Sequence, residues 1–121
     1  MLTLANNVAK LMQDRGDTQA SVAERGGISQ RAVGYLLTYG KTHEQQPTLR
    51  TVDGLSRAFD IPVWMLFIPD LPLDLLKSKR VATLVENYRD APEDGRANIN
   101  RVAESEVRYA VVKEGLKHKA G

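Results

Sequence analysis

The chain has no cysteine, which excludes a disulfide framework and any thiolate zinc site and makes the reducing cytoplasm the expected compartment. It also lacks an apolar run of about eighteen residues, the length needed to cross a bilayer as a helix. Its start, MLTLANNVAKLMQDRG, has no basic segment leading into a sustained apolar stretch. The expectation is a soluble, unprocessed, intracellular protein with no membrane partner. No strong excess of one charge sign is present either. Seventeen Lys and Arg stand against fifteen Asp and Glu, for a formal net charge of +2, which permits a nucleic-acid partner without arguing strongly for one. Neither side of Pro69 is markedly basic, with seven basic against six acidic residues through Pro69 and ten against nine beyond it. His43 and His118 have no partner at zinc-ligand spacing and read as solvated side chains, so no metal is expected. Gly26-Gly27 is not followed by the Gly-Lys-Ser/Thr of a phosphate loop. No nucleophile, base and orienting group occur together, so neither enzymatic activity nor a cofactor is expected.

What is present is helical periodicity. With 121 residues, 42 % of them hydrophobic, the chain can bury the core of one domain and carry an appendage. Leu4, Val8, Leu11 and Met12 form the stripe of a first amphipathic helix that ends at Gly16. Asp17 or Thr18 caps a second helix whose Val22 and Ala23 face inward. Gly27 sits where a sharp turn needs positive φ, and Ser29 caps a third helix with Val33, Leu36 and Leu37 inward. The polar run KTHEQQP is a loop, and Pro47-Thr48 opens a fourth helix with the inward stripe Leu49, Val52, Leu55 and Phe59. Asp60 suits a left-handed helix end. Pro62 starts a short fifth helix carrying Trp64, Met65, Leu66 and Phe67, with Trp64 and Phe67 read as core.

From Leu4 to Ile68 the chain resembles the phage-repressor and Cro type of DNA-binding domain, the xenobiotic-response-element helix-turn-helix family. Gln19, Ala23, Gly27, Ser29, Val33 and Leu36 match its motif positions, and Gly40 to Thr42 with PTLRTVDGLSRAFDIPVWML resemble its loop and last two helices. The resemblance implies an all-α, five-helix lambda-repressor-like DNA-binding domain over residues 1–69, followed by a helical extension over 70–121. Two departures stand out. Gly26 replaces the usual bulky apolar residue before the turn glycine and is expected to loosen helix packing, and Tyr39 looks like an extra residue before Gly40. By the same resemblance Gln30, Arg31 and Tyr35 occupy base-reading positions, while Gln19, Ser29, Lys41, Thr42 and His43 are candidates for the DNA backbone. The chemistry agrees: Gln pairs bidentately with adenine N6 and N7, and Arg with guanine O6 and N7. Tyr35 is placed to touch a thymine methyl or a phosphate, or to pack on Tyr39.

In the extension, Leu73, Leu76, Val81, Leu84, Val85 and Tyr88 read as one more helix, and a last helix follows Pro92. The stripe of that last helix, Ile99, Val102, Ala103, Val107, Ala110 and Val111, needs cover, either from its own domain or from a second copy. Lys113 to Gly121 reads as a frayed basic end. The expected function is a sequence-specific transcriptional regulator, a repressor binding a palindromic operator in double-stranded DNA as a homodimer through its C-terminal helices. An autoregulatory antitoxin whose C-terminal helices hold a protein partner is the first alternative, and an interaction adaptor that has lost DNA binding is the second.

Overall fold

The computed structural model describes the backbone of residues 1–120 and the side chains through Leu116, so the His118 side chain and Gly121 lie outside the described residues. The described residues are all-helical, apart from an isolated bridge between Tyr39 and His43. In chain order the helices are α1 (Leu2–Arg15), α2 (Gln19–Gly26), α3 (Gln30–Leu37), α4 (Leu49–Phe59), α5 (Val63–Leu66), α6 (Leu73–Lys77), α7 (Arg80–Asp90) and α8 (Glu93–Ala120). None of the described helices is long and apolar enough to cross a membrane. The chain divides into two compact units, Met1–Ala82 and Thr83–Gly121.

Local chemistry sets the helix ends of the first unit. Gly16 terminates α1 at φ 68°, in a region that costs glycine nothing. Thr18 and Ser21 form a capping box at α2: the Thr18 hydroxyl accepts from the Ser21 N–H at 3.1 Å, and the Ser21 hydroxyl accepts from the Thr18 N–H at 3.0 Å. Thr48 caps α4 by accepting from the Thr51 N–H. Asp60 ends α4 in the left-handed region at φ 53°.

The core joins Leu4, Val8, Leu11 and Met12 of α1 to Val22 and Ala23 of α2, Val33 and Leu36 of α3, and Val52, Leu55 and Phe59 of α4, with Met65 and Leu66 of α5 beneath. Asn7 is buried among them and donates through Nδ2 to the Leu66 carbonyl at 2.8 Å and the Ile68 carbonyl at 3.1 Å. Two acceptors for the two amide hydrogens make this buried polar group affordable and tie α1 to the end of α5.

Four expectations are corrected. Gly26 does not loosen the packing; it is a point of backbone contact between α2 and α4. A Cβ placed on Gly26 would lie 2.5 Å from the Gly54 carbonyl oxygen, and one on Gly54 would lie 2.7 Å from the Gly26 carbonyl oxygen and 2.4 Å from Ile28 Cγ2. Two arginines fasten the same crossing. Arg25 of α2 donates Nε–H to the Ala58 carbonyl near the end of α4, and Arg57 of α4 donates Nη2–H to the Gly26 carbonyl that ends α2. Each thereby satisfies a carbonyl that its helix end leaves open.

The second correction concerns the end of a stripe. Val52, Leu55 and Phe59 are buried as expected, together with Thr51, Gly54 and Ala58, but Leu49, the first residue of α4, is 87 % exposed. Third, Trp64 and Phe67 lie on the outside of α5 at 43 % and 36 % exposure, while Met65 and Leu66 take the core. A one-turn helix spreads its side chains about 100° apart and cannot aim four of them at one surface. Fourth, the first unit continues beyond residue 69. Leu76 of α6 is fully buried, Leu71, Leu73 and Val81 pack on the core, and Lys77 pairs with Asp14 at 3.0 Å.

Asp17, just before α2, and Arg25, in the last turn of α2, form a two-pronged ion pair, with Oδ1 to Nη1 at 2.7 Å and Oδ2 to Nη2 at 2.9 Å. The Arg25 hydrogen bond holds the Asp17 carboxyl below its ordinary 3.8, burial opposes that shift, and the Ser21 hydroxyl and Arg15 add to it. A carboxyl with a lowered folded-state pKa stabilises the fold fully above its unfolded value, and the stabilisation is lost as pH falls through the folded value. Asp17→Asn is therefore expected to cost about 1.5–3 kcal/mol at neutral pH. The gap between variant and wild type should close as pH falls below about 4, as read by urea unfolding at a series of pH values. A pH-independent gap would exclude this pair as its source.

The second unit holds most of α7 and all of α8, linked by side-chain hydrogen bonds where one follows the other. The helix expected from Leu73 to Tyr88 is divided in two at Ser78, whose backbone is extended and whose hydroxyl accepts the Arg80 N–H. Arg96 of α8 donates to the Tyr88 and Arg89 carbonyls at the end of α7, and Asn100 donates to the Tyr88 hydroxyl. Leu84 and Val85 are exposed. Of the expected α8 stripe, Ile99 is half-buried, whereas Val102, Ala103, Val107, Ala110 and Val111 are exposed. The segment expected to fray from Lys113 onward is helical through Ala120.

Candidate nucleic-acid interface

The turn between α2 and α3 is closed by backbone hydrogen bonds. Gly27 adopts φ 64°, its N–H reaches the Glu24 carbonyl, and the Ile28 N–H reaches the Ala23 carbonyl at 3.1 Å. Ser29 then spends its hydroxyl as the cap of α3, accepting from the Ala32 N–H at 3.0 Å. Because Val33 and Leu36 are buried, Gln30 and Arg31 are left exposed in the first turn of α3. Gln19, in the first turn of α2, is exposed as well, and its side chain lies across α3: a Cβ on Gly34 would come 3.0 Å from Gln19 Oε1. Gly34 thus leaves room for the glutamine at the crossing of the two helices.

One turn along α3, Tyr35 is half-buried and is engaged on two sides. Its hydroxyl accepts from Arg31 Nε at 2.8 Å and Nη2 at 2.5 Å, and the Arg31 guanidinium carbon sits 5.0 Å from its ring centroid. The His43 ring meets it edge-on at 5.0 Å between centroids. Tyr35 therefore packs on His43, not on Tyr39.

His43 is neither isolated nor freely solvated. It is half-buried; its Nδ1 accepts the Gln45 N–H at 3.0 Å, and its Nε2 lies 3.2 Å from Thr38 Oγ1. A backbone N–H can only donate, so Nδ1 carries no proton, and Nε2 donates to Thr38, whose hydroxyl donates onward to the Gly34 carbonyl at 3.0 Å. The imidazole is thereby committed to bracing the loop after α3, and its ring nitrogens are not offered outward.

Tyr39 is taken up in the same bracing. It pairs with His43 across the small bridge, its hydroxyl accepts from Gln46, and Gly40 turns at φ 79° while donating to the His43 carbonyl at 2.8 Å. The N–H groups of Lys41 and Thr42 both reach the Thr38 carbonyl, so only their exposed side chains remain to meet a ligand.

Arg50 was not singled out from the sequence. It lies in the first turn of α4 and lines a cleft with Gly27, Ile28, Ser29 and Ala32, beside the start of α3. A signal did exist, since a cation in the first turn of a helix opposes the macrodipole and calls for some other reason to be there. Among the described residues no three His, Asp or Glu side chains gather as metal ligands. No family model, curated protein or solved structure matches the chain.

Proposed function

We propose that the protein is a sequence-specific DNA-binding transcriptional regulator, with α1 to α5 forming a lambda-repressor-like five-helix domain that lays α3 in the major groove. The observation that carries this reading is the exposed first turn of α3, where Gln30 and Arg31 project from a helix seated on Val33 and Leu36 behind a glycine turn. The major groove of B-DNA admits one α-helix, and residues near the helix start reach deepest. Gln30 and Arg31 read base edges. Gln19, Lys41, Thr42 and, beside the start of α3, Arg50 face phosphates, where helix-start N–H groups and cations favour an anion. Ser29 contributes by fixing the start of α3, and His43 by bracing the loop.

The regulator acts in the cytoplasm as a homodimer on a palindromic operator, repressing by overlap with a promoter. The exposed valines of α8 support the dimer, since an apolar helix face of this kind is normally covered. The same observation supports the antitoxin reading, in which α8 covers a toxin. Sedimentation separates the two, because a dimer in the absence of any partner favours the repressor. The decisive experiment is selection of bound sequences from a random duplex pool. A palindromic consensus with half-site centres about 34–36 Å apart is expected. The absence of any enriched or salt-dependent binding would instead leave an interaction adaptor.

A further inference from the structure

Arg31 is hydrogen-bonded along its own helix to the Tyr35 hydroxyl. A guanidinium has five N–H donors arranged as two usable edges, one formed by Nε with Nη2 and the other by Nη1 with Nη2. The first edge is spent on the Tyr35 hydroxyl, at 2.8 and 2.5 Å. Tyr35 is itself held by the His43 ring, and His43 by Thr38 and the Gln45 N–H. This chain of contacts runs from the loop after α3 back to the first turn of α3.

We infer that Tyr35 is a positioning residue for Arg31, holding the guanidinium so that only its Nη1/Nη2 edge is presented, and that this edge takes the O6/N7 face of a guanine. The inference rests on the DNA-binding reading above and deepens it. It moves Tyr35 from contacting DNA to aiming the residue that does, and it gives His43 a role in specificity at one remove. The chemistry selects the base. The remaining edge offers two parallel donors and no acceptor, and only guanine shows two adjacent acceptors in the major groove. Adenine sets an amino donor beside N7, cytosine shows an amino donor, and thymine pairs a single acceptor with a methyl group. Holding the side chain before binding also removes part of the ordering cost that a free arginine pays on binding.

The test uses the full chain and the best duplex from the random pool, together with the duplexes that replace each of its base pairs in turn. Arg31→Ala identifies the base pair that Arg31 reads, which is expected to be G·C. Tyr35→Phe keeps the ring and removes only the hydroxyl. It is expected to lower discrimination at that one pair by about tenfold, within the range set by one bidentate contact, and to leave preferences at the other pairs and the melting temperature unchanged. In the absence of DNA, the Arg31 Nε–H resonance should be protected from exchange in the wild type and lose that protection in Tyr35→Phe. An unaltered preference in Tyr35→Phe would overturn the inference, as would equal weakening on all duplexes, which is the mark of a phosphate contact. An Arg31-dependent pair other than G·C would overturn it too. Failure of the wild type to bind any duplex would overturn the DNA-binding reading itself, and that result is seen before any variant is made.

Discussion

Gly26→Ala is expected to lower the unfolding free energy by about 3 kcal/mol, enough to reduce the melting temperature on the order of 10–20 °C for a unit of this size. The added Cβ would stand 2.5 Å from the Gly54 carbonyl oxygen and 2.9 Å from its carbon, and a backbone group cannot step aside as a side-chain tip can. α2 and α4 must separate, which opens the core around Val22 and Leu55 and stretches the Arg57 bond to the Gly26 carbonyl. Gly54→Ala tests the other side of the contact and sharpens the sign. In mid-helix, alanine is favoured over glycine by about 1 kcal/mol, so a loose crossing would make this substitution stabilising. A Cβ there would meet Ile28 Cγ2 at 2.4 Å and the Gly26 carbonyl oxygen at 2.7 Å, and the clash is expected to outweigh the propensity gain, for a net loss of about 1–3 kcal/mol. Urea and thermal unfolding measure both variants. A stabilised Gly54→Ala would refute the close crossing.

The second large effect concerns binding. Arg31→Ala is expected to cost about 1–3 kcal/mol on the preferred duplex and to abolish discrimination at one base pair, while binding to random duplex falls little. Lys41→Ala is expected to weaken all sequences alike and to reduce the slope of log affinity against log salt by about one, because each phosphate contact releases about one counterion. Both residues are exposed cations, Arg31 in the first turn of α3 and Lys41 in the loop after it, so the pair separates base reading from backbone attraction with charge change held equal. Titrations of specific and random duplexes at several salt concentrations provide the measurement. Equal losses on both duplexes for Arg31→Ala would assign Arg31 to the backbone as well.

The legible parts of the chain were those fixed by neighbours in sequence. Thr18, Ser29 and Thr48 cap helices because a hydroxyl needs only the N–H three residues on. Gly16, Gly27 and Asp60 end helices in the left-handed region because that cost is a property of the single residue. The stripes of α1 and α3 were right because 3.6-residue periodicity assigns faces without reference to a partner. Leu49 failed because periodicity says which way a residue points along α4, not where along the helix the core ends. Trp64 and Phe67 failed because hydrophobicity alone cannot say which side of a single turn meets the core.

At the candidate site the division is the same. Gln30 and Arg31 were placed outside α3 by the burial of Val33 and Leu36, a pattern readable along eight residues. The role of His43 was not readable. Its partners Thr38 and Gln45 are near in sequence, but its contact with Tyr35 depends on the loop folding back over α3. Arg50 lies beside the start of α3 through the packing of α4 on α2, which no local pattern encodes.

By itself the sequence determined helices α1 to α5, the caps of α2 to α4, the turn at Gly27 and the outward residues of α3, since each follows from torsional preference or from a hydrogen bond spanning a few residues. Tertiary structure alone decided that Gly26 is a contact and not a gap, that Asn7 fastens α1 to α5, and that the His43 ring meets Tyr35. These depend on groups brought together by burial from distant parts of the chain, or by a loop closing over a helix. No periodicity encodes which two glycines will meet.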